Sequence, residues 1–294
     1  MKSLKDLSNY ELLKWYDNSI YEELRKHPSI YNKSDEMYRP YHDYWNLYAY
    51  GDVLKCVYIK SSAKPKKPTE GEIKNKISVS TSCADEEKRF SQSITRTKSR
   101  VFEIAMCNEF QYFCTFTLDK AKHNRNDLKT FVKELSMMIR NINRSKVDNN
   151  KIQYLLIPEP HKDGAWHLHG LLSGIGDDLT EFKLTDNIPL KFKKMIKNGE
   201  KVYNWGKYAT KFGFFTATKI HSGEACSKYI TKYITKDLTH SAHEAGAHLF
   251  YASQGLKRRE TIVKNCVDNC FVSDWDFEND YIKIKEFTVP KNGQ

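Results

Sequence analysis

His167 and His169 stand two residues apart in WHLHGLLS, residues 166–173, a run that reads as a β-strand. Side chains along a strand alternate between faces, so both imidazoles point the same way. Two imidazoles on one face can hold a metal ion. Glu159 lies eight residues before His167, and the turn signal Asp163-Gly164 falls between them. A hairpin centred on Asp163 places Glu159 opposite His167 on the same face. One carboxylate and two imidazoles leave positions open on a metal. That mixed oxygen and nitrogen set suits Mn2+ or Mg2+, with zinc as a further candidate. His161, in the turn, is not expected among the ligands. Gly170 leaves room for a close approach by backbone or ligand. The bland alternative is a pair of histidines packed within a sheet.

A second cluster follows. The unit Tyr-Ile-Thr-Lys occurs twice in succession, at 229–232 and 233–236. In a helix Tyr229 and Tyr233 lie one turn apart on one face, with Lys232 and Lys236 beside them. Ile230 and Ile234 fall on an adjacent stripe and can anchor the helix to a sheet. A phenol is a weak nucleophile at its ordinary pKa, near 10. A neighbouring ammonium favours the phenolate and balances charge on a phosphate under attack. A bound metal polarises and orients that phosphate. Phosphoryl transfer to tyrosine is therefore the chemistry these residue types suit. An amphipathic helix with half-buried tyrosines is the alternative.

Elements that can position these clusters are legible around them. Residues 111–118 (QYFCTFTL), 151–157 (KIQYLLI), 166–173 and 212–220 read as strands, and 247–252 as a closing strand. Residues 127–143 read as a helix with Leu128, Phe131, Val132, Leu135, Met138, Ile139 and Ile142 on one face and Asp127 as N-cap. Residues 224–238 read as a second helix. A stripe of Phe90, Ile94, Thr97, Val101 and Ala105 predicts another before the first strand, and Leu12, Leu13, Tyr16, Ile20 and Leu24 one near the N-terminus. Residues 60–76 have a linker's composition, and the Lys-rich stretch 176–200 reads as an insertion. The class is α+β, a mainly antiparallel central sheet with flanking helices. Three segments are expected: an N-terminal helical and linker region, 1–80; a central domain, 81–255; and a C-terminal extension, 256–294, with two short strands.

The chain has 294 residues and a formal net charge of +11, with a pI of about 9.1 and mean hydropathy −0.69. A balance that basic favours a polyanionic partner, most simply nucleic acid. No run approaches the roughly 20 apolar residues of a membrane span. The first residues, MKSLKDLSNYELLKWY, carry no signal-peptide apolar run, so a cytoplasmic address is expected. Seven cysteines at irregular spacing suit reduced thiols better than a disulfide framework.

The ordered set CTFTLD (114–119), HLHG (167–170) and YITKYITK (229–236) resembles the HUH endonucleases, and among them the rolling-circle replication initiators of phages and plasmids. The doubled YxxK form is similar to the two-tyrosine initiators of small isometric single-stranded DNA phages. The spacing from Glu159 to the HLH triplet is similar to that in initiators of circular single-stranded DNA viruses. The resemblance covers roughly residues 85–255. It implies a ferredoxin- or RRM-like nuclease core, Glu159, His167 and His169 as ligands of Mn2+ or Mg2+, Tyr229 and Tyr233 as nucleophiles, and Lys232 and Lys236 as their helpers.

The implied reaction is nicking of single-stranded or extruded origin DNA in a bacterial host, leaving a 5′-phosphotyrosine and a free 3′-OH. No GxxxxGK[ST] phosphate loop is present, so a separate helicase, together with a polymerase, is the expected partner. A two-tyrosine transposase shares the motif order, but many carry a paired-cysteine zinc module that this chain lacks. The common conjugative relaxases place the tyrosine before the histidine motif. An origin-binding replication-control protein without catalysis is the alternative from another class.

Overall fold

The computed structural model describes residues 43–51, 53–60, 83–147, 150–267 and 269–288. The helix expected over Leu12–Leu24 and most of the linker lie outside these. Two compact units divide the chain, one running from Thr81 to Lys257. The described residues of the other come from 43–60 and 258–288.

In chain order the elements are β1 (Tyr44–Tyr50), β2 (Val53–Ile59), α1 (Cys83–Cys107), β3 (Tyr112–Leu118), α2 (Leu128–Arg144), β4 (Gln153–Pro160) and β5 (Trp166–Ser173). Then come β6 (Leu179–Glu181), α3 (Leu190–Lys197), β7 (Val202–Trp205), α4 (Gly206–Lys211), β8 (Gly213–Lys219), α5 (Gly223–Ile230) and α6 (Lys236–Glu244). β9 (Tyr251–Ala252), β10 (Glu260–Cys266), β11 (Phe277–Glu278) and β12 (Ile282–Thr288) close the chain. Both sheets are antiparallel, so the fold is α+β. Among the described residues, no helix is long and apolar enough to cross a membrane.

The larger unit holds a seven-stranded sheet in the order β6-β7-β8-β3-β5-β4-β9. Residues opposite one another on paired strands share a face. Leu156, Gly170 and Cys114 therefore share one face, while Ile157, His169, Thr115 and Thr216 share the other. α2 covers the first face. It buries Leu128, Phe131, Val132, Leu135 and Ile139, and its Ser136 meets the Tyr154 hydroxyl at 3.3 Å. Asp127 caps it as expected, its carboxylate accepting from Thr130 N (3.0 Å) and Thr130 Oγ1 (2.7 Å). α5 lies on the second face, with α1 packed against α5 and α6. Phe116, Leu155, Ile157, Leu168, Phe215, Ile230 and Ile234 are all fully buried in the core between these layers.

Three features differ from the sequence reading. The segment 176–200 is built into the sheet: β6 and β7 extend it beyond β8, with α3 between them. Its polar composition hides strands that sit at an edge, where half of each ladder faces water. The helix expected over 224–238 is two helices, separated by a single 3-10 turn at Thr231–Tyr233 and an extended Ile234. In the smaller unit, a five-stranded sheet β10-β1-β2-β12-β11 joins two stretches that composition sets apart. Its core includes Trp45, Leu47, Cys56, Val263 and Phe287.

Gly170 does not face the histidines. Its α-carbon packs onto β4, where a Cβ would collide with Leu156 Cδ2 and come within 2.9 Å of the Leu155 carbonyl oxygen. Gly170→Ala should therefore destabilise the fold by roughly 1–3 kcal/mol through overpacking. Urea unfolding read by circular dichroism checks this; an unchanged midpoint would refute the close approach.

Candidate active site

The β4–β5 hairpin is centred on Asp163. Gly164 there takes φ +79°, a left-handed conformation that glycine adopts without strain. Asp163 accepts from Ala165 N at 3.2 Å and pairs with Arg125 at 2.9 Å. The register that follows sets Glu159 opposite His167 and Ile157 opposite His169. β3 lies on the other side of β5, with Thr117 opposite His167 and Thr115 opposite His169. Each threonine hydroxyl meets the Nδ1 of its histidine, at 3.0 Å for Thr117 and 3.2 Å for Thr115. With Nδ1 engaged, Nε2 is the nitrogen left to meet other groups. In His169 it meets Glu159 Oε2 at 2.6 Å.

His161 also joins this cluster. Its ring stacks on that of His167 with centroids 3.9 Å apart and 13° between planes, and its Nε2 is 4.0 Å from Glu159 Oε2. The expectation that set His161 aside as a turn residue misses this proximity. The hydrogen bond from His169, helped by the other two imidazoles, holds the Glu159 carboxyl below its ordinary range. Burial, and the neighbouring His161 and His169, push His167 down to about 4, so its imidazole is neutral at physiological pH. An ionised carboxylate beside a neutral imidazole is the protonation pattern a divalent cation requires. Among the described residues, no three His, Cys, Asp or Glu side chains already converge on one ion-sized point.

The tyrosines meet this cluster from above the sheet. Ser222 caps α5 by accepting from Ala225 N at 3.2 Å. Ile230 and Ile234 are fully buried, which confirms their role as anchors. The helix stops because Thr235 is a better cap than an interior residue: its hydroxyl accepts from Leu238 N at 3.1 Å and starts α6. This break leaves Tyr229 and Tyr233 in unlike surroundings. The Tyr233 ring lies flat on His169, centroids 4.0 Å apart and 15° between planes. Phe113, from β3, stacks at 6.2 Å from Tyr233 and meets Tyr229 edge-on at 5.3 Å. Tyr229 is 42% exposed.

The two hydroxyls are 3.4 Å apart, with Tyr233 donating to Tyr229. The Lys232 ammonium lies 3.4 Å from the centre of the Tyr229 ring and 5.2 Å from that of Tyr233. Lys232 and the Tyr233 hydroxyl hold the Tyr229 phenol below its usual pKa, with Lys191 adding to the effect. Burial, the bond it donates to Tyr229 and the Glu159 charge push the Tyr233 phenol well up. Lys236 opens α6 instead of flanking a phenol. The residues that sequence reasoning missed are Thr115, Thr117, Phe113 and His161. The period-two spacing of TFT against HLH was the available signal for the threonines.

Residues 111–238, which carry both clusters, match a family model described as a replication-associated protein of the ORF2 and gene 2 protein type. Neither the curated proteins nor the solved structures include a match. The site-bearing segment is thus similar to a family of replication-associated proteins.

Lys232→Gln should move the titration of Tyr229 to higher pH, because the hydrogen bond and charge that favour its phenolate are removed. NMR of ring-labelled tyrosine across a pH series reads this directly. A Tyr229 titration that stays in place would refute the assigned role of Lys232.

Proposed function

We propose that this protein is a rolling-circle replication initiator that nicks single-stranded origin DNA through a tyrosine nucleophile. The stacking of Tyr233 on His169 carries the reading: it joins two motifs distant in sequence into one site. The similarity of residues 111–238 to replication-associated proteins supports it.

Glu159, His167 and His169 would hold Mn2+ or Mg2+, for which an ionised carboxylate and a neutral imidazole are suitable donors. The ion supplies Lewis-acid polarisation of the scissile phosphate when bound. The threonine hydroxyls on Nδ1 fix both rings, as partners behind metal-binding histidines do. A phenolate oxygen attacks phosphorus, the bond to the 3′ oxygen breaks, and that oxygen takes up a proton. A 5′-phosphotyrosine and a 3′-OH result. The reverse attack by a 3′-OH rejoins the strand without ATP, since the phosphoester energy is kept. Lys232 favours the phenolate and offsets charge on the phosphate. The second phenol would serve a second cut while the first still holds DNA. Unwinding and synthesis fall to a separate helicase and polymerase.

A labelled single-stranded oligonucleotide carrying the origin, incubated with the protein and Mn2+, should yield a covalent adduct that EDTA suppresses. The Tyr229→Phe, Tyr233→Phe double variant should form none; an adduct on that variant would sink the proposal. His167→Ala with His169→Ala should slow nicking by more than the roughly 10–100-fold typical of partners behind the ligands. Retained DNA binding with no adduct under any metal would make this an origin-binding protein without catalysis.

Thr117→Val keeps shape but removes the hydroxyl on His167. It should weaken Mn2+ binding about tenfold, seen as a higher Mn2+ midpoint for adduct formation. An unmoved midpoint would show that Thr117 does not tune the ligand.

A further inference from the structure

The segment 176–200 plays no part in the chemistry above, yet the fold brings it to the same face of the sheet. Phe214 of β8 lies directly opposite Thr117, the residue that holds His167. Phe182, just after β6, meets Phe214 with centroids 6.0 Å apart and 32° between planes. Both rings are half-buried. An aromatic pair therefore borders the histidine cluster on the side away from Glu159.

α3 follows in the same segment. Its sequence, LKFKKMIK, has no acidic residue. Lys191, Lys194 and Lys197 are exposed, while Phe192, Met195 and Ile196 are half-buried and the helix packs on β7. Residues three apart share a helix side, so the three ammonium groups form one stripe. Nearby lysines are neutralised: Lys201 pairs with Glu181 and Lys207 with Asp178, each at 2.6 Å. Among the described residues, no such pair engages Lys191, Lys194 or Lys197. Lys191 stands close enough to Tyr229 for its charge to favour the phenolate, which fixes the near end of the stripe beside the tyrosines.

We propose that this surface is a track for single-stranded DNA: Phe182 and Phe214 stack unpaired bases, and the Lys191, Lys194 and Lys197 stripe holds the phosphates that lead away from the tyrosines. The proposal rests on the reading of the site as one that acts on DNA. A merely solvated lysine face has no reason to adjoin paired aromatic rings. A surface that gripped only duplex phosphates would have no use for those rings, because paired bases present no free face to stack on. Charge and rings together select the unpaired polymer.

Binding without metal tests this apart from cleavage. The full chain in EDTA is titrated into a fluorescein-labelled oligonucleotide of roughly 20 nucleotides, single-stranded or annealed, across a salt series. Lys191→Ala, Lys194→Ala, Lys197→Ala as a triple variant should weaken single-strand binding about tenfold or more. Its log Kd against log salt slope should fall by about 2, as expected for three lost phosphate contacts at roughly 0.7 each. Phe182→Leu should weaken single-strand binding several-fold with the slope unchanged, and leave duplex binding as it was. An unaltered slope in the triple variant overturns the proposal, as does an equal loss for single strand and duplex in Phe182→Leu. If the parent protein forms no tyrosine adduct while these shifts appear, the track stands and the nicking reading falls. If adducts form and the shifts are missing, the reverse holds.

Discussion

The antiparallel register of β4 against β5 is the constraint on which the site depends. Glu159, His167 and His169 share a face only because Glu159 sits opposite His167. A slip of one residue would turn both imidazoles toward α2 and into the core. The register is pinned at both ends of the relevant stretch. Asp163 and Gly164 fix the turn through backbone geometry and the Arg125 contact. Beyond His169, Gly170 is wedged against Leu155 and Leu156 so tightly that no other pairing would fit a side chain there. β3 then reads the same register from the other flank, each of its two threonines finding one histidine.

A second dependency follows from the first. The tyrosines are not neighbours of the histidines in sequence; burial of Ile230 and Ile234 presses their segment onto the sheet. Once it is there, the flat contact of Tyr233 on His169 is available only because the imidazole is already held by Thr115. Phe113 completes the wall by touching both phenol rings. Apolar burial thus provides the adhesion, and the hydroxyl–imidazole bonds provide the orientation.

Much of this was legible beforehand because it obeys short periods. Alternation gave the strands, the Asp163-Gly164 signal gave the hairpin and the position of Glu159, and a clean helical stripe with Asp127 as cap gave α2. What escaped had other causes. β6 and β7 are short edge strands whose composition is that of a loop. The tyrosine helix breaks at Ile234 because a threonine cap outcompetes one more turn, and a repeated Tyr-Ile-Thr-Lys unit shows no sign of which copy will break. His161 belongs to the cluster through ring stacking across a hairpin, a contact that strand periodicity does not encode. The pairing of β1 and β2 with β10 and β12 spans some two hundred residues, beyond the reach of any local pattern.

The break has a chemical consequence. In one continuous helix the two tyrosines would have had similar surroundings. Here one phenol is exposed under an ammonium, and the other is half-buried near a carboxylate. Their oxygens are 3.4 Å apart, so two phenolates would repel strongly and the pair holds at most one negative charge comfortably. The hydrogen bond between them assigns that charge to Tyr229 in the resting state. Converting Tyr229 to a phosphotyrosine would remove its phenolate and with it the acceptor that Tyr233 serves. Under the proposed chemistry, use of the first nucleophile therefore changes the electrostatic setting of the second, which couples the order of the two cuts to geometry already present in the fold.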